Sequence, residues 1–147
     1  MKIGVVRFPG TNNEHETIRA LKSFDHVAPY LIDVWNEDQV EEMDGIYLPG
    51  GFSYGDYLRA GAIASTTSLM EKVSTKIKDG TPVLSICNGF QIVSERGLVD
   101  GVLLPNQSTR FICKFIHVKI PVNQSYLEEL AGKVLKLPIA HFEGNLW

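Results

Sequence analysis

The chain has 147 residues, a formal net charge of -3 and a hydrophobic fraction of 44%. This size and composition are typical of one ordinary globular domain, which can fold without disulfides or a structural metal. The net charge and the lack of any run of Lys or Arg argue against a protein that binds nucleic acid or an anionic membrane, so a small polar ligand or a protein partner fits better.

The first third of the chain alternates between strand and helix signals. Lys2–Phe8 is a short apolar and β-branched run that predicts a buried strand. Thr11–Glu14 matches a capping box, which predicts that a helix begins there. Two more apolar runs, near Tyr30–Val34 and at Gly45–Leu48, predict the second and third strands.

A second helix signal follows the glycine-rich loop after the third strand. Ser68 begins another capping box, and the helix that it predicts ends at Asp79–Gly80. Pro82–Ile86 then predicts a fourth strand, which leads directly into Cys87. One face of this predicted helix carries the apolar residues Met70, Val73 and Ile77.

The alternation of strands and helices with short connections predicts an α/β fold, with a mostly parallel sheet covered by helices on both faces. Functional loops are expected at the carboxyl ends of its strands. The last third of the chain has a different pattern: Phe111–Ile120 is a long β-rich run, and Leu137–Ala140 predicts another strand.

Cys87 lies where the fourth predicted strand enters a helix, and a glycine, Gly89, follows two residues later. This is the pattern of a nucleophile elbow, in which a strained turn lifts the nucleophile above the sheet and small neighbours let helix and strand approach closely. Ser85 is the small residue on the upstream side. We therefore interpret Cys87 as a catalytic nucleophile.

The start of the helix after Cys87 can serve the same chemistry. The helix N-terminus favours the thiolate, which is the reactive form of cysteine. The first N–H groups of a helix have no partner within it, so the N–H of Asn88 is a candidate oxyanion donor. Gly50–Gly51, at the end of the preceding predicted strand, could supply the second donor.

The other cysteine and the four histidines show no pattern that predicts a catalytic or metal site. Cys113 lies in mid-strand with no turn or helix end to activate it, so we interpret it as a small buried hydrophobic residue. A disulfide with Cys87 is possible in principle, but free thiols in a cytosolic protein are favoured, since neither a signal peptide nor a membrane-spanning run is present. No metal site is expected, because the histidines are scattered and lack an HExxH motif: His15, His26, His117 and His141.

Five segments in order give the chain a resemblance to class I glutamine amidotransferases, and within them to the glutaminase subunits of phosphoribosylformylglycinamidine synthases. The two longest and most specific are Pro49–Gly61 and Cys87–Gln91. Together the five extend across nearly the whole chain, the others being Phe8–Asn12, Arg110–Cys113 and Pro138–His141.

The resemblance implies a flavodoxin-like α/β fold in a single domain over residues 1–147. It implies that Cys87 attacks the side-chain amide of glutamine to form a glutamyl thioester, while Gly51 and Asn88 supply the N–H groups of the oxyanion hole. The substrate-binding residues implied for this chain are Gly50, Phe52 and Gln91.

The same resemblance implies partners but no cofactor in this subunit. Ammonia would pass to a synthetase subunit of the complex, with ATP and magnesium expected there and a small third subunit possible. That subunit would convert formylglycinamide ribonucleotide to formylglycinamidine ribonucleotide in purine biosynthesis.

The chain departs from the family pattern in two ways. Ser85 stands where the family usually has glycine. The family's catalytic histidine and glutamate, spaced as His-x-Glu, are expected beyond residue 147, so we expect the domain to be incomplete at its C-terminal end. His141 and Glu143 have that spacing, but Pro138–His141 matches a different motif of the family, so a catalytic role for them is the less favoured interpretation.

The glycine-rich loop invites a nucleotide-binding interpretation, which its spacing does not support. Asp56 could instead cap a helix that begins near Tyr57. Arg59 could serve a partner or form a surface salt bridge, and the salt bridge is the commoner case.

Two other functions stay open on the sequence. One is a cysteine hydrolase of the same fold class that acts on other substrates, which would not need Gly50, Phe52 or Gln91. The other is a catalytically incomplete module that only assembles a complex.

Overall fold

The first hundred residues build a parallel sheet in a computed structural model that describes residues 1–122 and 125–147. The strands along the chain are β1 (Lys2–Val6), β2 (Ala28–Ile32), β3 (Gly45–Leu48), β4 (Val83–Ser85), β5 (Leu103–Pro105), β6 (Ile112–Lys119), β7 (Val134–His141) and β8 (Glu143–Leu146). The α-helices are α1 (Glu14–Leu21), α2 (Ala62–Ser65), α3 (Ser68–Lys78) and α4 (Asn88–Glu95). Short 3-10 helices occupy Glu37–Glu42 and Glu128–Leu130, and Ser53–Asp56 forms turns with positive φ at Tyr54 and Gly55.

The sheet has the strand order β2-β1-β3-β4, and every pairing in it is parallel. Helices connect the strands, as a parallel arrangement requires. The α/β fold predicted from the alternation of elements is therefore confirmed. The carboxyl ends of the four strands meet at one edge of the sheet, and Cys87 follows β4 at that edge.

The hydrophobic core lies between the sheet and its helices. Its fully buried members include Val6, Leu48 and Ile32 from the strands, with Met70 and Val73 from α3. The apolar face predicted for α3 is thus the face that packs on the sheet, and Ile77 contacts the same cluster while partly exposed.

The helix starts differ from the predicted caps. α1 begins at Glu14, but no side chain caps it, and the Thr11 hydroxyl instead accepts a hydrogen bond from the N–H of Phe8 at 3.0 Å. α3 is capped by Thr67, whose hydroxyl accepts from the N–H of Met70 at 3.3 Å, one residue before the predicted Ser68. The prediction of a capping box at Thr11 was wrong, because the Thr11 hydroxyl accepts its hydrogen bond from the preceding turn and not from α1.

The described residues group into two compact units, Met1–Leu103 with Leu146–Trp147, and Leu104–Asn145. In the second unit, β6 and β7 pair antiparallel from Ile112 opposite His141 to Lys119 opposite Val134. Strand β6 lies within the run predicted at Phe111–Ile120, and β7 extends beyond both ends of the run predicted at Leu137–Ala140. The single family domain expected over residues 1–147 stays a prediction.

Candidate active site

Cys87 adopts φ 53° and ψ -116° between the end of β4 and the first residue of α4. Positive φ is unusual for a residue with a side chain and costs free energy that the surrounding structure must offset. The thiol is exposed. The strained turn with a presented side chain is the geometry predicted for a nucleophile elbow, and it is confirmed for the local backbone.

Gly89 shows why the elbow needs a small residue after the cysteine. A Cβ placed on Gly89 would lie 2.2 Å from the carbonyl oxygen of Leu48 in β3. That distance is far inside van der Waals contact, and the obstacle is backbone, which cannot rotate away. Helix α4 therefore approaches the sheet as closely as it does only because this position is glycine.

Gly50 lies against the nucleophile from the neighbouring strand. A Cβ on Gly50 would lie 3.2 Å from the Cβ of Cys87 and 3.7 Å from its Sγ. The same position would be 2.9 Å from Nδ2 of Asn13, at the start of α1. The lack of a side chain at Gly50 keeps open the space beside the sulfur, and the Asn13 amide borders that space. No pattern in the sequence singles out Asn13.

Gly51 presents an unused N–H group next to this space. Two hydrogen bonds, from Asn12 N–H to the Gly50 carbonyl at 3.3 Å and from Phe52 N–H to the Gly10 carbonyl at 2.9 Å, flank an antiparallel bridge between Thr11 and Gly51. In such a bridge the central pair does not exchange hydrogen bonds. The Gly51 N–H donates to no residue that the structure describes, and its φ of 145° requires glycine.

Asn88 contributes a second unused N–H and a fully used side chain. Its main-chain N–H opens α4 and has no acceptor among the described residues, as expected for a first helical position. Its side chain is buried. The amide oxygen accepts from the N–H of Ser53 at 3.0 Å, while Nδ2 donates to Asp56 at 3.1 Å and to Gln91 at 2.9 Å.

The predicted cap at Asp56 was wrong. No helix begins at Tyr57; the next helix, α2, starts at Ala62 behind Gly61. Asp56 instead uses a carboxylate oxygen to hold the Asn88 side chain. Nothing local in the sequence could reveal this contact, because the two residues are 32 positions apart.

The two side chains predicted to bind substrate differ in exposure. The Phe52 side chain is 56% exposed beside Gly51, where it could contact a ligand. Gln91 is 9% exposed and accepts from Asn88 through Oε1, so its amide belongs to a buried network. Roles for Gly50, Phe52 and Gln91 in binding glutamine stay predictions.

Arg59 forms the surface salt bridge that was the favoured interpretation. Its Nε and Nη2 donate to the two carboxylate oxygens of Glu95, at 3.0 and 2.6 Å. This bidentate contact joins the segment after the glycine-rich loop to the end of α4.

In the second unit, Cys113 is exposed in β6 opposite Ala140, so the expectation that it is buried was wrong. The β6–β7 ribbon has no buried apolar residue among those described, which leaves its side chains accessible. His141 ends β7, and its Nδ1 is buried without a hydrogen-bond partner among the described residues, close above Gly144.

Burial raises the pKa of Tyr54, which follows Gly51 by three positions, so its phenol stays neutral near pH 7. Among residues 1–122 and 125–147, no group of three His, Cys, Asp or Glu side chains is arranged to hold a metal ion. No helix of the described part has the length and apolar character needed to cross a membrane.

Comparison with known proteins identifies the family that carries this site. The model of the CobB/CobQ-like glutamine amidotransferase domain matches residues 1–147. The chain is 46% identical, over its full length, to phosphoribosylformylglycinamidine synthase subunit PurQ of Pyrococcus furiosus, and it covers 66% of that protein. It is 48% identical to the subunit PurQ of Chlorobium chlorochromatii, with 97% of this chain and 62% of the relative covered.

A solved structure supports the same relationship. One chain of PurLQS from Thermotoga maritima superimposes with a TM-score of 0.84 at 34% identity, over 99% of this chain and 68% of that one. The chain therefore spans about three fifths to two thirds of the length of the curated relatives that it matches, 62% and 66% for the two named here.

Proposed function

Since the chain belongs to the CobB/CobQ-like glutamine amidotransferase family, we propose that it is the glutaminase part of a phosphoribosylformylglycinamidine synthase. The observation that carries the proposal is the arrangement around Cys87. A strained elbow presents the thiol, Gly50 leaves space beside the sulfur, and the N–H groups of Gly51 and Asn88 are unused. A presented nucleophile and free oxyanion donors are two of the parts that acyl transfer from an amide requires.

In the proposed reaction, the Cys87 sulfur attacks the side-chain amide carbon of glutamine, and the carbonyl oxygen becomes an oxyanion that the Gly51 and Asn88 N–H groups stabilise. Collapse of this intermediate breaks the carbon–nitrogen bond, and the nitrogen leaves as ammonia after taking up a proton. Water then attacks the glutamyl thioester, releases glutamate and restores the thiol. Gly50, Phe52 and Gln91 would hold the substrate.

Proton transfer is the step for which the proposal draws on the family. We assign it to a histidine–glutamate pair of the kind that the family uses, and not to His141 and Glu143.

The partner assignment follows from the named relatives. The Pyrococcus and Chlorobium proteins are subunits of phosphoribosylformylglycinamidine synthase, and the Thermotoga chain belongs to PurLQS. We propose that this chain likewise delivers ammonia to a synthetase subunit, with a small third subunit in the complex. ATP and magnesium would act on the synthetase, and this subunit would need no cofactor of its own.

The proposal is tested with two cysteine variants of the full gene product, assembled with its synthetase subunit. Cys87→Ala is expected to abolish glutamine hydrolysis and glutamine-dependent amidine formation, since the nucleophile is gone, while ammonia-dependent amidine formation continues. Cys113→Ala is the matched control, because it removes the other exposed thiol, and wild-type activity is expected. Glutamine hydrolysis that persists in Cys87→Ala would refute the proposal.

A further inference from the structure

The side chain of Asn88 connects the two segments that carry the proposed oxyanion donors. From the proposed function we infer that Asp56 is a positioning residue: with Asn88 it forms an amide clamp that holds the Gly51 and Asn88 N–H groups in register. We define the amide clamp as the Asn88 side chain with its three partners, the Ser53 N–H, the Asp56 carboxylate and the Gln91 amide oxygen.

The chemistry of the three partners fixes how the Asn88 amide faces. The Ser53 N–H can only donate, so the amide oxygen of Asn88 must face it. Both hydrogens on Nδ2 then need acceptors, and an ionised Asp56 can only accept. With Asn88 only 1% exposed, a donor left without an acceptor would find no water. Asp56 therefore favours one of the two amide orientations, the one that ties down Ser53.

Ser53 follows Gly51 by two residues, so this bond fixes the main chain just beyond the first donor. On the other side, the bridge to Thr11 fixes the main chain at Gly51 itself. Since Asn88 also carries the second donor on its own main chain, one residue couples both N–H groups. A shift of the loop relative to α4 would separate them.

The loop is expected to shift when the clamp is lost, because its backbone is strained. Three of its residues with side chains hold positive φ: Tyr54 at 52°, Asp56 at 53° and Leu58 at 72°. Backbone of this kind persists only where the surrounding structure imposes it. The clamp ties this strained segment to the first turn of α4, while Arg59 ties the end of the segment to Glu95 at the other end of α4.

The clamp makes a specific kinetic prediction. Because the oxyanion exists in the transition state and not in bound glutamine, misplacing its donors lowers kcat more than it changes KM. Loss of one donor outright lowers kcat about 100- to 1000-fold. A misplaced donor retains part of its effect, so Asp56→Ala is expected to lower kcat by about 10- to 100-fold.

The experiment measures glutamine hydrolysis by the full gene product with its synthetase subunit. Asp56→Ala should show the kcat loss with KM little changed, and Asp56→Asn, which keeps an oxygen acceptor, should recover most of it. Asp44→Ala is the matched control. The Asp44 carboxylate accepts a hydrogen bond too, in its case from the Lys2 main-chain N–H at 2.7 Å, but Asp44 precedes β3 at the opposite edge of the sheet. Its kcat should match the wild type.

A labelling readout separates positioning from general disruption. Iodoacetamide needs only an accessible thiol, so its labelling is measured on the peptide that contains Cys87, whereas a chloroketone analogue of glutamine also needs the oxyanion hole. Asp56→Ala should slow labelling by the chloroketone and leave labelling by iodoacetamide unchanged. Equal slowing of both reagents, or wild-type kcat in Asp56→Ala, would overturn the clamp.

If Asp56→Ala does not fold, Asn88→Asp gives the same test. It keeps the shape of the side chain and the oxygen that faces Ser53, but it removes the two Nδ2 hydrogens that bind Asp56 and Gln91. It is expected to lose kcat to the same extent, and wild-type kcat in this variant would also overturn the clamp. A wild-type complex that hydrolyses no glutamine would instead refute the proposed function on which the clamp rests.

Discussion

Cys87 and Cys113 are both exposed free thiols, but the segments that carry them differ in how far the backbone is constrained. Around Cys87, the backbone is constrained by a positive φ, by a helix start and by neighbouring glycines at which a Cβ would be crowded. Around Cys113, a regular antiparallel ribbon imposes none of these. Exposure alone therefore does not separate the two thiols; the backbone that presents them does, and the proposal that Cys87 is the nucleophile rests on that backbone.

The largest expected difference between the two segments is in how much stability is lost when a glycine is replaced by alanine. Gly89→Ala places a methyl group against the Leu48 carbonyl oxygen at 2.2 Å, and we expect it to reduce the free energy of unfolding by about 3 kcal/mol or more. Gly132→Ala, in the second unit, has open space around the new Cβ and bears only the strain of φ 78°, about 1 kcal/mol.

Urea denaturation followed by circular dichroism measures both glycine variants. Equal losses of stability would show that the elbow is no more tightly packed than the turn at Gly132, and the contrast between the two segments would fail.

A smaller difference in lost stability is expected when a surface cation of each segment is replaced by alanine. Arg59 makes two hydrogen bonds to Glu95, whose side chain is only 12% exposed, so Arg59→Ala should cost about 1 kcal/mol. Lys136 lies over the exposed ring of Phe115 at 4.9 Å, and Lys136→Ala should cost about 0.5 kcal/mol. Denaturation at low and high salt checks the assignment, since only the Arg59 effect should shrink markedly with added salt.

The smallest expected effect is a dependence of the free energy of unfolding on pH, caused by Asp33 in the first unit. Burial alone would raise the pKa of Asp33, but hydrogen bonds from the Arg7 guanidinium at 2.6 Å and from the Trp35 N–H outweigh it and hold that pKa below its usual value. A lowered folded-state pKa stabilises the protein above the unfolded-state pKa of about 3.9, and the stabilisation is lost as the pH falls toward the folded value.

Asp33→Asn should therefore be less stable than the wild type at pH 6, and the gap should narrow at pH 3. Denaturant unfolding at the two pH values measures this gap. A gap that stays constant or widens at pH 3 would contradict the assignment of the carboxylate.

The sequence allowed most of the fold and the strained turn at Cys87 to be predicted, because both depend on local patterns. Alternating apolar runs located β1 to β4 within a few residues, and the order strand, Cys87, Gly89, helix located the elbow. The helix caps were less accurate: Thr67, not Ser68, caps α3, since a hydroxyl can serve either of two adjacent positions.

Contacts between distant residues were missed for a different reason. Asp56 and Asn88 meet across 32 positions, and a polar pair of this kind has no periodicity that a sequence could display. The exposure of Cys113 was missed because a β-rich run predicts a strand but not what covers it. Asn13 was overlooked because its place beside Gly50 depends on how α1 packs on the sheet.

The central claim is that Cys87 forms a glutamyl thioester, and rapid acid quenching during turnover tests it most directly. The full complex would be mixed with glutamine, quenched, digested and analysed by mass spectrometry. We expect the mass of one glutamyl group on the peptide that contains Cys87, absent when Cys87 is alanine and unaffected when Cys113 is alanine. Steady glutamine hydrolysis with no adduct on Cys87, or with the adduct on Cys113, would contradict the account.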